Sequence, residues 1–186
     1  MKYISKKLTF ENVSIEKIAK KYGTPTYCYS YNKIKENIKN FKTSFNSFSP
    51  LICFAIKSNC NVHLIREIRK FGLGADVVSM GELIIALKAG VNPKKIVFSG
   101  VSKTSEEISY AIERKILLIN AESESEIREI NRIAKSKKKK VQIGLRLNPN
   151  TDAKTLSQIS TGKKENKFGV NQKVFLQLAN IVKKSK

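Results

Sequence analysis

The chain has no tryptophan, one histidine, three cysteines and four prolines in 186 residues, and its 15 acidic side chains face 36 lysines and arginines. The shortages of cysteine and histidine each close off a class of function. Cys28, Cys53 and Cys60 are an odd, sparse set without metal-ligand spacing, so no metal is expected, and reduced thiols in a cytoplasm fit better than a disulfide framework. The lone His63 stands beside a helix start, where a capping or surface role accounts for it better than catalysis. No apolar run exceeds the length of a strand, which leaves no candidate membrane helix. Lys2, Lys6 and Lys7 open the chain without a following apolar stretch, so secretion is not expected either.

What is abundant is apolar residues, at 41%, and positive charge, at +21. The first is enough for a globular core. The second raises the question of a nucleic-acid partner. Against one, the excess is nearly all lysine, spread along the chain, without the arginine–aromatic interleaving of a base-stacking surface. The densest run, residues 135–140, falls at the end of a helical pattern, where cations suit the helix dipole. A basic RNA-binding protein remains the alternative from another class.

Residues 11–22 carry a short helical pattern closed by Gly23, residues 24–30 are β-branched and aromatic enough to read as a strand, and Ser30 then caps a helix through Ile34, Ile38 and Phe41. From Leu51 a regular alternation begins. Strands are expected at 51–57, 75–79, 95–100, 116–120 and 141–148, with helices between them at 62–71, 81–89, 104–114 and 123–133. Thr104 with Glu107, and Ser123 with Glu126, have the spacing of capping boxes. Such alternation predicts parallel strands joined by helical crossovers, as an open doubly wound sheet or a (β/α)8 barrel. A dinucleotide-binding G-x-G-x-x-G is missing, since Gly72-Leu73-Gly74 lies before a strand. A barrel needs about 250 residues. The expected fold is therefore α/β, a partial (β/α)8 TIM barrel of about five βα units that ends in a helical pattern at 174–182, where a sixth strand should follow.

In such a fold the chemistry gathers where strands end. Lys57 closes the first strand, Asp76 and Ser79 belong to the second, and Ser99-Gly100 closes the third. Asn120 and Glu122 follow the fourth, and Arg146 and Asn148 close the fifth. A partly desolvated Lys57 would hold a share of free amine near neutral pH, able to attack a carbonyl, although a strand-end lysine can also simply leave the sheet for solvent. Asp76 is either a satisfied polar residue inside the barrel or a site residue. Arg146 needs a partner or a ligand, because a buried lone charge is costly. Capping alone explains residues 79–82, and a tight turn explains Ser99-Gly100. One amine, one guanidinium and several small polar groups suit an anionic, carbonyl-bearing ligand.

Five stretches carry a resemblance: Phe54-Ala55-Ile56-Lys57-Ser58-Asn59, Asp76-Val77-Val78-Ser79-Met80-Gly81-Glu82-Leu83, Ile96-Val97-Phe98-Ser99-Gly100, Leu145-Arg146-Leu147-Asn148-Pro149, and Ile159-Ser160-Thr161-Gly162 through Glu165-Asn166-Lys167-Phe168-Gly169. In order and spacing they resemble the barrel domain of the diaminopimelate decarboxylases. The first is shared with ornithine and arginine decarboxylases, and the last favours the diaminopimelate branch. The resemblance implies a pyridoxal 5'-phosphate enzyme that decarboxylates meso-2,6-diaminopimelate to L-lysine. Lys57 matches the lysine that holds the cofactor, and Asp76 and Arg146 match positions lining its pocket. It also implies the homodimer expected of the full-length family and an N-terminal segment (1–30) that joins a β-domain, with the barrel domain at 31–186; a complementing C-terminal chain is a further partner to expect if the gene is split. The family's His-bearing motif, Gly-rich phosphate turn and Cys-Glu pair would lie past Lys186. These 186 residues alone are thus expected to fold poorly and not to decarboxylate. A pyridoxal-phosphate-binding barrel without decarboxylation, or a related basic amino acid decarboxylase, is the nearer alternative.

Overall fold

A computed structural model of the chain describes residues 1–45, 47–152, 154, 161–162 and 168–184. Of the last motif above, residues 159–160 and 163–167 lie outside the described residues. The chain divides into two compact units, Met1–Pro50 and Leu51–Lys186. The division expected after residue 30 would instead place the helix at 31–43 with the second unit.

The first unit opens with an antiparallel meander of β1 (Lys2–Ile4), β2 (Lys7–Phe10) and β3 (Val13–Ser14). Its two turns, Ser5-Lys6 and Glu11-Asn12, have positive φ at both residues, the geometry whose twist matches paired strands. Sequence reading finds only a helix here, because strands of two to four residues are too short to show an alternation. The helix, α1 (Ile15–Tyr22), is closed by Gly23 as expected. Ser30 caps α2 (Tyr31–Thr43), its hydroxyl oxygen accepting from the Lys33 amide at 3.0 Å. The strand expected at 24–30 does not form: residues 24–29 are exposed and bonded to no strand among the described residues. Propensity alone does not make a strand without a neighbour to take its amide and carbonyl groups.

In the second unit, β4 (Cys53–Ala55), β5 (Gly74–Val77), β6 (Ile96–Phe98), β7 (Leu118–Ala121) and β8 (Ile143–Leu145) lie side by side in chain order, all parallel. The crossovers are α3 (Val62–Arg69), α4 (Met80–Lys88), α5 (Ser105–Glu113) and α6 (Glu124–Ser136). A doubly wound sheet reverses its strand order at a switch point; here the order never reverses, which is barrel connectivity. Ile56, Val77, Leu83, Phe98, Ile119 and Ile130 are each fully shielded from solvent in one core of strand and helix side chains.

The helix starts follow the sequence signals. Asn61, Ser79, Thr104 and Ser123 each accept a first-turn amide. Thr104 and Glu107 form a complete capping box. At Ser123 only the hydroxyl half forms, because the Glu126 carboxylate is engaged elsewhere. His63 is exposed in the first turn of α3.

The strands end earlier than expected. After β4 the chain tightens into a 3-10 turn, Ile56–Ser58, which drives Ile56 into the core and leaves Lys57 exposed. After β8, Leu147 pairs in parallel with Val170, through Asn148 N to Val170 O at 2.7 Å and Val170 N to Arg146 O at 2.9 Å. The slot beside β8 is therefore entered before α7 (Gln172–Lys184), not after it as expected. Gly169 permits the approach: its φ is +71°, and a Cβ there would lie 2.7 Å from the Arg146 carbonyl. Leu178 of α7 is buried in the same core. No helix among the described residues is long and apolar enough to cross a membrane.

Candidate active site

The C-terminal ends of β4 to β8 open into a cleft of about 700 Å³. Lys57, Asp76, Ser99, Asn120, Glu122 and Arg146 all line it, so one cleft brings together the three residues singled out in the sequence and three more from the intervening strand ends. Parallel register does the gathering: each strand is aligned with its neighbour, so the residues in or just past the last ordered pairs share one rim.

Two polar chains cross this rim. In the first, Ser99 follows β6 with its amide on the Val77 carbonyl at 2.8 Å. Its hydroxyl donates to Asp76 Oδ1 at 2.6 Å and accepts from Asn120 Nδ2 at 3.1 Å. Asp76 is thus a satisfied polar residue and a cleft residue at once, since among the described residues no donor reaches its second oxygen. Beneath it, burial and then the Asp76 carboxylate push the Cys53 thiol above its ordinary pKa, so this cysteine stays protonated.

In the second chain, Ala121 pairs with Leu145, which sets Glu122 beside Arg146 one step further on. Arg146 Nη1 donates to Glu122 Oε1 at 3.0 Å, and the Gly169 amide donates to Glu122 Oε2 at 3.0 Å. The Glu122 side chain is 4% exposed and that of Arg146 37%, so the carboxylate forms the floor while the guanidinium reaches into the cleft. The Phe168 ring lies under the guanidinium, 4.6 Å from it, where its face attracts the cation. Sequence reading places Glu122 at a strand end without giving it a role, although one carboxylate one rung from a partly buried arginine is the available signal.

Of the two readings left open for Lys57, the structure has the plainer one: the side chain leaves the strand end exposed and makes no hydrogen bond or ion pair among the described residues. The reason is topological: β4 pairs with β5 on one side only, so no second wall of described strands shields the turn that follows it. What the cleft offers is a primary amine at one end, a carboxylate beside it and a buttressed guanidinium opposite. That set suits a ligand with a carbonyl for the amine and anionic groups for the cation.

Comparison with known proteins agrees with this chemistry. Residues 31–186 match the family described as pyridoxal-dependent decarboxylase, pyridoxal binding domain. A diaminopimelate decarboxylase of Helicobacter pylori is 47% identical over 170 residues, covering 91% of this chain and 42% of the relative. The crystal structure of a Helicobacter pylori diaminopimelate decarboxylase complexed with L-lysine superposes with a TM-score of 0.89 at 45% identity, covering 91% of this chain and 43% of that one. That of the M. jannaschii enzyme in co-complex with L-lysine gives 0.88 at 36% identity, covering 97% and 43%. The chain therefore spans less than half the length of the relatives it matches, and the family's cofactor is pyridoxal phosphate. Matched over more than half its length and sharing the relatives' parallel barrel strands, the chain belongs to the pyridoxal-binding domain family of the pyridoxal-dependent decarboxylases.

Proposed function

We propose that this cleft is the cofactor-holding part of a diaminopimelate decarboxylase, which removes one carboxylate of meso-2,6-diaminopimelate as carbon dioxide and leaves L-lysine. The observation that carries the reading is the convergence of Lys57, Asp76 and Arg146 on one cleft at the strand ends. The identity to diaminopimelate decarboxylases, and the L-lysine in their crystal structures, support the choice of substrate.

The donor set fits pyridoxal phosphate. The Lys57 amine, committed to no ion pair among the described residues, would hold its aldehyde carbon and give way to the amine of the substrate. Asp76 and Arg146 would line its pocket, one wall anionic and the other cationic. When bound, the cofactor supplies an electron sink for the pair left by the departing carboxylate. Glu122 keeps Arg146 extended into the cleft. Since the chain spans about two-fifths of its relatives, decarboxylation is proposed for the complete site to which these residues contribute. The rest of the site would come from a complementing C-terminal segment, within the homodimer expected of the full-length family. For these 186 residues alone no release of carbon dioxide is expected; a cooperatively melting monomer that decarboxylates would overturn that. Three free cysteines support a reducing compartment, the cytoplasm.

The test is borohydride trapping with pyridoxal phosphate, followed by peptide mapping. A single stoichiometric adduct at Lys57, lost in Lys57→Ala, supports the reading. Modification spread evenly over the many surface lysines, unchanged in Lys57→Ala, would sink it.

A further inference from the structure

Lys103 is an exception in a chain whose lysines mostly face water. It lies in the loop between β6 and α5, and its side chain is 1% exposed. Its ammonium donates to Gly100 O at 2.6 Å, Asn120 O at 2.7 Å and Glu126 Oε1 at 2.5 Å, which uses all three of its N–H groups. The Phe98 ring lies 5.7 Å away and adds a cation–π contact. Gly100 and Asn120 themselves line the cleft, and Glu126 is joined to a residue that does. Gly100 follows Ser99, and Asn120 carries the amide that donates to Ser99. Glu126 turns its other oxygen to the Glu122 amide, at 2.9 Å. Glu122 in turn holds Arg146 and the Gly169 amide.

We propose that Lys103 is a positioning residue for the cleft. Its buried ammonium ties the loops after β6 and β7 together, so that Ser99 and Asn120 are aimed at Asp76, and Glu122 at Arg146. Stability alone does not call for it, because a well-packed apolar substitute often replaces a buried ion pair at little cost. What an apolar side chain cannot supply is three directed donors holding two backbone carbonyls and a carboxylate in one arrangement.

The inference rests on the cleft being the pyridoxal-phosphate site, and the experiment separates the two. In the intact protein, pyridoxal phosphate affinity is measured by equilibrium titration, beside the melting temperature and hydrogen exchange at residues 100–103 and 120–123. Lys103→Met leaves Glu126 unpaired and is expected to lose both stability and affinity. Lys103→Met with Glu126→Gln removes the buried charge as well. It should regain the melting temperature while affinity stays about tenfold weaker and the loop amides exchange fast. Glu126→Gln alone keeps the shape of the pair and should weaken affinity by about threefold. If the double variant regains affinity together with stability, or Glu126→Gln binds as the unaltered protein does, Lys103 is a structural residue only and the proposal falls. If the unaltered protein forms no Lys57 adduct, the cleft assignment fails instead, and the exchange data still report whether Lys103 orders the loops.

Discussion

Arg146 and Glu122 meet across the tops of β8 and β7, Nη1 to Oε1 at 3.0 Å, because the pairing of Ala121 with Leu145 leaves them one rung beyond the last ordered pair. The Arg146 amide caps the same rung by donating to the Ala121 carbonyl at 3.0 Å. The cation is held at its root by the backbone ladder and at its tip by a buried carboxylate, so a flexible side chain has one preferred direction.

Replacing Glu122 tests that arrangement. Glu122→Ala removes an acceptor from both Arg146 and the Gly169 amide. Arg146 is partly solvated, which softens the loss, so a destabilisation of about 1–3 kcal/mol is expected in urea unfolding. An unfolding midpoint equal to that of the unaltered protein would show that the pair contributes nothing.

Two glycines in the sheet should differ in tolerance. A Cβ at Gly74 would lie 2.1 Å from the Lys95 carbonyl, a backbone atom, whereas at Gly144 it would meet the Asn120 side-chain oxygen at 2.2 Å. Asn120 can rotate away, at the expense of its bond to Ser99; the backbone that leads into β6 cannot. Gly74→Ala should therefore destabilise more than Gly144→Ala, with overpacking costs of about 1–3 kcal/mol setting the scale. The reverse order in thermal unfolding would contradict the structure.

Glu107 should give the protein a pH-dependent component of stability. Burial raises its pKa, but hydrogen bonds from the Thr104 and Met80 amides and the Thr104 hydroxyl, with the nearby Lys103 charge, outweigh it and hold the carboxyl below its usual value of 4.5. A depressed folded-state pKa adds stability that is fully present above the unfolded value and is lost as pH falls through the folded one. The stability gap between the unaltered protein and Glu107→Gln should thus be constant near neutrality and close below about pH 4.5. A gap that widens on acidification would reverse the sign.

Thiol labelling offers a check without mutation. Cys28 and Cys60 are exposed, while Cys53 is half-buried with its thiol held protonated. Alkylation at pH 8, followed by mass spectrometry, should modify Cys28 and Cys60 well before Cys53. Equal rates at all three would contradict the burial of Cys53.

Much of this molecule is legible in the sequence, for local reasons. The alternation from Leu51 onward specifies parallel βα units because apolar spacing distinguishes strand from helix. Thr104 and Glu107 announce a helix start because their bonds close within one turn. Lys57, Asp76 and Arg146 can be picked out as strand-end residues before any coordinates are known. The N-terminal meander is not legible, since its strands are too short to carry a period, and the aromatic run at 24–30 misleads, since its composition suits a strand that has no partner here.

Tertiary structure alone decided which buried charges meet. Nothing in a chain with 36 lysines and arginines marks Lys103 as buried against three oxygens, or Glu122 as the floor beneath Arg146. The exposure of Lys57 and the pairing of Val170 with Leu147 likewise follow from which strand lies beside which. Periodicity and capping are settled within a few residues, so the sequence by itself determined the elements and their order. The buried ion pairs join residues more than twenty positions apart in the chain, so only the folded arrangement of strands and helices could determine them.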